Sequence, residues 1–170
     1  MVDIEPAATA DPEAIHAVLT AAFEDETEAE LVDVLREEDA LREDCSALAR
    51  SDGDPVGFVA VSDADLPDVS GVDIAVLGPV GVVPDRQGEG IGSELVRTAM
   101  RCCVRAGCAA VVLEGDPAFY GRFGFEPASA YGLESDLDPP PGAFQVWPCR
   151  PGALEGVSGE VRHPIPFHAL

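Results

Sequence analysis

Lysine is missing from this 170-residue chain: its ten basic residues are all arginine, against 32 Asp and Glu, for a formal net charge of -22. A Walker A loop ends in Gly-Lys-Ser/Thr, so NTP hydrolysis of that type is excluded. No basic stripe is present to pair with phosphates, which argues against a nucleic-acid partner. No apolar run approaches the ~20 residues that a membrane helix needs. The opening "MVDIEPAATADPEAI" has neither the basic nor the apolar region of a signal peptide. A cytoplasmic protein without a membrane partner is expected. Cysteine is sparse: Cys45, Cys102, Cys103, Cys108 and Cys149 form no C-x-x-C pair and are odd in number. Neither a disulfide framework nor a metal site is expected. Cys102 and Cys103 fall in a helical pattern and should pack as small apolar residues. With only His16, His163 and His168 as partners, no catalytic cysteine is expected.

What is abundant is acid and apolar surface. Apolar residues make up 46% of the chain, enough for one α/β or α+β domain over residues 1–170 that buries roughly 70% of its unfolded surface. Such an excess of like charge repels itself in dilute buffer, and a Debye length of ~3 Å at 1 M salt removes most of that repulsion. The acidity therefore reads as halophilic adaptation, or else as a field that attracts cationic substrates.

Periodicity supplies the elements. A short strand near Val2–Glu5 precedes a helix in which Asp11 and Pro12 form the cap and first turn, with Ile15, Val18, Leu19, Ala22 and Phe23 at helical spacing. "TEAELVDVLRE" predicts a second helix, with Thr27 and Glu30 as a capping box and Leu31, Val32 and Leu35 as its apolar face. "CSALARS" and "VGFVAVSD" read as a hairpin joined through residues 51–55. "IAVLGPVGVV" is a long strand with Pro79 inside it, which should bulge or splay it. A helix from about Gly90 to Ala106, ended by Gly107, leads to the buried strand "CAAVVLE". The order is β-α-α-β-β-β-α-β, then a short helix and a further strand. A Pro/Gly-rich extension from about Leu133 should hold one or two more strands.

The bend "VVPDRQGEGIGSELV" places three glycines at alternate positions before a helix. Free N–H groups at a helix start, with the macrodipole, make an anion site that glycine leaves open. Backbone donors suffice, so no lysine is needed. A tight strand-to-helix turn with no ligand is the plainer reading. A dinucleotide fingerprint is another, since Glu114 ends the next strand where a ribose-binding acid would sit. Its spacing, however, is G-x-G-x-G rather than G-x-G-x-x-G.

"VGVVPDRQGEGIG" resembles the acetyl-CoA motif of the GNAT superfamily of N-acetyltransferases, a Gln or Arg followed by x-x-G-x-Gly/Ala, matched by Gln87, Gly90 and Gly92. "LEGDPAFYGRFGFEPASAYGL" resembles its second hallmark, a tyrosine ahead of a Gly-Phe turn. Together with the tail, the two are most similar to its YhbS-like branch. The resemblance implies a mixed, mostly antiparallel sheet of six or seven strands, splayed at the acetyl-CoA site and flanked by helices. It implies that the N–H groups of Gly88, Glu89, Gly90, Ile91, Gly92 and Ser93 cradle the CoA pyrophosphate. Val80, Gly81 and Val82 would pair through their backbone with the pantetheine arm, and one freed N–H, such as that of Val80, would stabilise the developing oxyanion. Asp116 stands near where many relatives carry an asparagine that contacts the cofactor.

Tyr120 is the catalytic candidate by the same resemblance. A phenol of pKa ~10 can protonate a departing thiolate whose acid has pKa ~8.5 if the two are in hydrogen-bond reach; the plainer reading is an aromatic core residue beside Phe119, Phe123 and Phe125. Glu114, Glu24, Glu26 and Glu28 are candidates for a base, each also readable as a solvated charge. The expected activity is direct acetyl transfer from acetyl-CoA to an amine of a small molecule, peptide or protein, without metal. An acyl-CoA-binding sensor and a dinucleotide-binding oxidoreductase are the alternatives. A homodimer is left open.

Overall fold

The computed structural model describes residues 2–170. Nine strands and four α-helices follow one another as β1 (Asp3–Pro6), α1 (Pro12–Phe23), α2 (Thr27–Glu37), β2 (Ala47–Ser51), β3 (Asp54–Ala64), β4 (Ile74–Val82), α3 (Ile91–Arg105), β5 (Ala110–Glu114), α4 (Pro117–Tyr120), β6 (Glu126–Pro127), β7 (Leu133–Ser135), β8 (Phe144–Pro148) and β9 (Gly159–Val161). Seven strands form one sheet in the order β1-β2-β3-β4-β5-β8-β6, and β7 pairs with β9 in parallel. In the large sheet β1–β2, β2–β3, β5–β8 and β6–β8 are antiparallel and β4–β5 is parallel. The expected mixed, mostly antiparallel sheet of six or seven strands is what the chain forms. Beyond Leu133 it holds three strands, β7, β8 and β9, one more than the sequence suggested.

The chain divides into two compact units, one comprising residues up to Ser62 with Leu77–Cys102 and Leu170, the other Asp63–Val76 with Cys103–Ala169. In the first unit α1 starts as expected. Asp11 Oδ1 accepts the Glu13 N–H at 3.0 Å, and Pro12 occupies the first turn, where its missing N–H costs nothing. The capping box predicted at Thr27 and Glu30 is not formed. Asp25 Oδ1 instead takes the Thr27 N–H at 2.9 Å, so Thr27 is already helical, and the Glu30 N–H bonds to the Glu26 carbonyl. A short Asp side chain two residues upstream reaches that N–H first. Asp52 and Gly53, both at positive φ, turn β2 into β3 with Ser51 opposite Asp54, the turn chemistry that suits the strands' right-handed twist.

One sequence expectation is overturned in this unit. Cys45 and Cys102 are joined by a disulfide, with Cα atoms 5.3 Å apart and 57 residues between them in sequence. The pairing had no local signature because it depends on where α3 lies against the turn before β2. Cys103, the next residue, is buried and packs as expected.

The second unit has its own core. Leu66, Ile74, Val76, Ala110, Val112, Leu133, Val146 and Val161 are among its buried residues. β5 is covered on one edge by β8 along its whole length, from Ala110 opposite Pro148 to Glu114 opposite Phe144. Its parallel pairing with β4 runs over Ile74–Val76.

Candidate active site

The glycine bend is built on the end of β4. Val83 N–H donates to the Val56 carbonyl at 2.9 Å, which pins the strand's exit to β3. A turn of 3-10 helix over Pro84–Arg86 follows, and the Gln87 carboxamide Nε2 reaches back to the Val82 carbonyl at 3.0 Å. Gln87 thus ties the bend to the strand. Gly88 and Gly90 have φ of 81° and 87°, left-handed conformations that side-chain-bearing residues rarely adopt. A Cβ on either would meet nothing within 4 Å, so backbone conformation, and not crowding, demands glycine here. The bonded ladder of α3 opens with Glu94 N–H to the Gly90 carbonyl, and the first turn of an α-helix has no intrahelical acceptor for its N–H groups. Among the described residues nothing crowds Gly92 either, since its Cβ would lie 3.7 Å from Val82 Cγ2.

Two contacts set the position of this helix start. A Cβ on Gly57 would come within 3.0 Å of Leu95 Cδ1, 3.2 Å of Ile91 Cγ2 and 3.3 Å of the Gly81 carbonyl, so glycine in β3 lets α3 lie close on the sheet. Ile91 is buried there, leaving its backbone alone to serve a ligand. On β4, a Cβ at Gly81 would strike Ala22 Cβ and Phe23 Cε2 at 2.9 Å, so α1 packs directly on the backbone of Gly81. Gly78 has a φ of 126°, and its peptide bond to Pro79 is cis. The parallel ladder with β5 stops at Val76, ahead of Val80, Gly81 and Val82. That is the interruption expected around Pro79, and it frees backbone groups of β4 from the regular ladder.

Glu89 is the residue that could have spoiled an anion site. Both its carboxylate oxygens accept from Arg86 Nε, at 3.0 and 3.2 Å, and its side chain is 46% exposed. The partner is three residues upstream inside the same bend, a pairing the sequence reading missed although both residues were in view.

In the second unit Tyr120 closes α4. Asp116 Oδ1 accepts the Ala118 N–H at 2.9 Å and so caps this one-turn helix, which gives the aspartate a structural task. The Tyr120 ring lies over Gly115, where a Cβ would sit 2.5 Å from Cε2, and it meets Phe119 and Phe125 edge-on at 4.8 and 6.0 Å. Burial pushes the phenol pKa above its ordinary value of 10.0, so it stays protonated at neutral pH. No hydrogen bond joins its hydroxyl to another described residue. It is both a packed aromatic and an available proton donor.

The four candidate bases fall into different settings. Glu24 ends α1 at φ 62° and is exposed, and Glu26 accepts from His16 Nε2 at 3.4 Å. Glu114 receives the Ser135 hydroxyl at 3.4 Å. Glu28 keeps one carboxylate oxygen, Oε2, buried and without a hydrogen-bond partner. Elsewhere in the second unit, Asp136 accepts from His163 Nδ1 at 2.8 Å and from His168 Nε2 at 3.0 Å, tying down the end of the chain. Burial pushes its carboxyl up, but the His163 side-chain and backbone bonds and the charges of both histidines outweigh this and lower it. Among the described residues no group of three or more His, Cys, Asp and Glu side chains could hold a metal ion, and no helix is long and apolar enough to cross a membrane.

Comparison with known proteins converges on one family. The model of the acetyltransferase (GNAT) family matches residues 13–125, which includes α1 from its second residue, α2, the glycine bend and Tyr120. The N-acetyltransferase YhbS of Escherichia coli K12 is 37% identical over 161 residues, 93% of each chain. A crystal structure of E. coli YhbS in complex with CoA superposes with a TM-score of 0.86 at 35% identity, covering 98% of this chain and 91% of that one. A GNAT acetyltransferase from Brucella melitensis, crystallised with acetyl-CoA, gives 0.79 at 31% identity over 98% of both chains. With a family match over most of its length and relatives this similar from end to end, the chain belongs to the GNAT family of N-acetyltransferases.

Proposed function

We propose that this chain binds acetyl-CoA and transfers the acetyl group directly to an amine, with no covalent enzyme intermediate. The observation that carries the reading is the bend at 87–93. Gly88 and Gly90 in left-handed conformations, and an uncrowded Gly92, leave the backbone of a helix start open to approach with no lysine involved. A pyrophosphate is the ligand such a site suits. Two relatives crystallised with CoA and acetyl-CoA share the fold over 98% of this chain, which supports the same ligand here.

The residues present fit that ligand. The N–H groups of Gly88–Ser93 would hold the pyrophosphate while Arg86 neutralises Glu89. The backbone of Val80–Val82, beyond the last β4–β5 pair, would take the pantetheine amides. Acetyl-CoA supplies an activated thioester; the chain supplies orientation and proton transfers. A Val80 N–H would stabilise the charge that develops on the carbonyl oxygen. Tyr120, kept protonated by burial, would give its proton to the departing sulfur.

Calorimetry with acetyl-CoA, CoA and NAD, followed by release of free CoA across a panel of amines and peptides, tests the reading. Micromolar acetyl-CoA binding, weak NAD binding and acceptor-dependent CoA release are expected. Binding without turnover for any acceptor would favour an acyl-CoA sensor.

A further inference from the structure

The apolar face of α2 carries Leu31, Val32 and Leu35, all buried, and the position one turn ahead on that same stripe is Glu28. A carboxylate therefore occupies a place where helical periodicity calls for an apolar side chain. Glu28 is partly buried, and its Oε2 is shut off from solvent with no hydrogen-bond partner. Glu24 is exposed, and three other acids nearby are engaged. Asp25 binds the Thr27 N–H, Glu26 accepts from His16 Nε2 at 3.4 Å, and Asp33 accepts from His16 Nδ1 at 2.7 Å and Arg36 Nη1 at 3.4 Å. The residue as a whole is only partly buried, so a ligand can reach the carboxylate, and a cation there would offset the cost of its unpaired buried oxygen.

Its place in the fold says which ligand. The three-residue link Glu24–Glu26 folds α2 back along α1, and the His16–Asp33 bond holds the two helices together farther along. Glu28 in the first turn of α2 therefore stands beside the end of α1. There Ala22 and Phe23 lie against Gly81, in the stretch of β4 proposed above for the pantetheine arm. The groups that share this corner are Glu24, Asp25 and Glu26 of the link and His16 of α1.

We propose that Glu28 is the catalytic base that receives the acceptor, an alkylammonium ion, and takes its proton. The inference rests on the acetyl-transfer reading. An alkylamine of pKa ~10.4 is neutral only to the order of one part in a thousand at pH 7, so a proton acceptor beside it raises the reactive fraction. One proton passes from the ammonium nitrogen to Glu28. That nitrogen forms the N–C bond to the acetyl carbon, and the C–S bond breaks. The sulfur takes up one proton as it departs, and the second proton leaving nitrogen balances it. Glu28 returns its proton to water. The sum is ammonium plus acetyl-CoA giving amide, CoA thiol and one proton.

The test compares wild type, Glu28→Gln and Glu28→Asp with three probes: n-butylamine, a lysine-containing peptide and aniline, the last already neutral at pH 7. For the two alkylamines, Glu28→Gln should lower kcat/KM at least 100-fold at pH 7, with the deficit shrinking toward pH 10. Aniline should be affected far less, acetyl-CoA affinity should stay within twofold, and the melting temperature should not fall. Glu28→Asp should recover part of the activity. Unchanged kcat/KM in Glu28→Gln, or an equal loss at every pH and for all three amines, overturns the assignment. If wild type turns over none of the probes, n-butylammonium is titrated into the CoA complex. Binding lost in Glu28→Gln supports the proposal, and no binding or equal binding overturns it. Failure of acetyl-CoA itself to bind would instead overturn the function on which it rests.

Discussion

Tyr120 illustrates how one side chain can pack and still be open to the chemistry proposed for it. Its ring is fixed by Gly115, Phe119 and Phe125, while its hydroxyl is committed to no neighbour among the described residues. Replacing it with Phe removes only the hydroxyl. The melting temperature should stay within a degree or two and calorimetric acetyl-CoA affinity should hold, while kcat falls about 100-fold in steady-state assays. A second residue-scale expectation concerns His16. The bonds from Asp33 first and then Glu26 raise its pKa above the ordinary 6.5. A histidine with a raised folded-state pKa stabilises fully below its unfolded pKa, and that contribution is lost as pH rises through the folded value. Asp33→Asn should therefore cost stability at pH 6 and much less at pH 9, by urea denaturation. NMR titration should place the wild-type ring above 6.5 and return it toward that value in the variant.

At the scale of elements, the glycine bend separates two uses of the same residue. Gly90 at φ 87° is required by conformation, so Gly90→Ala should cost about 1–2 kcal/mol of stability whatever its effect on binding. Gly92 lies within α3 with room for a Cβ, so Gly92→Ala should leave stability unchanged or raise it by up to ~1 kcal/mol. Its methyl group would stand in the pyrophosphate cradle proposed above, and acetyl-CoA affinity should then fall at least tenfold by calorimetry. The bend was legible in the sequence because everything that shapes it, from Val82 to Glu94, is contiguous. The start of α2 was misread by the same local logic. Thr27 and Glu30 had the spacing of a capping box, but Asp25 competed for the same N–H and took it. Glu28 could be named as a candidate, yet nothing local distinguished it from the acids beside it. Burial of its Oε2 is a property of the folded chain around α2, not of the string TEAEL.

For the whole molecule, the largest unforeseen feature is the Cys45–Cys102 bond. Its closed loop contains β2, β3, β4, the glycine bend and most of α3, and so the whole of the proposed CoA cradle. In the chain-entropy picture, a loop of that length constrains the unfolded state by about 4 kcal/mol. Reduction with a phosphine, or the Cys45→Ser variant, should lower stability by ~2–4 kcal/mol in urea titrations while leaving the far-UV spectrum of the folded protein unchanged. Thiol counting before and after reduction checks that the bond is present. The net charge of -22 acts at the same scale, as a repulsion spread over the whole surface that salt screens.

By itself the sequence determined the family, the order of the elements as far as β5, the glycine bend and the tyrosine after β5. Each of these is encoded in neighbouring residues, through periodicity, turn chemistry and two motifs. Tertiary structure alone decided that Cys45 meets Cys102 and that Asp136 gathers His163 and His168. It also decided that the β4–β5 ladder stops at Val76 and that one acid among four candidates holds a buried, unpaired oxygen. These depend on which surfaces distant segments bring together when the core closes, and no residue carries that information to its neighbours along the chain.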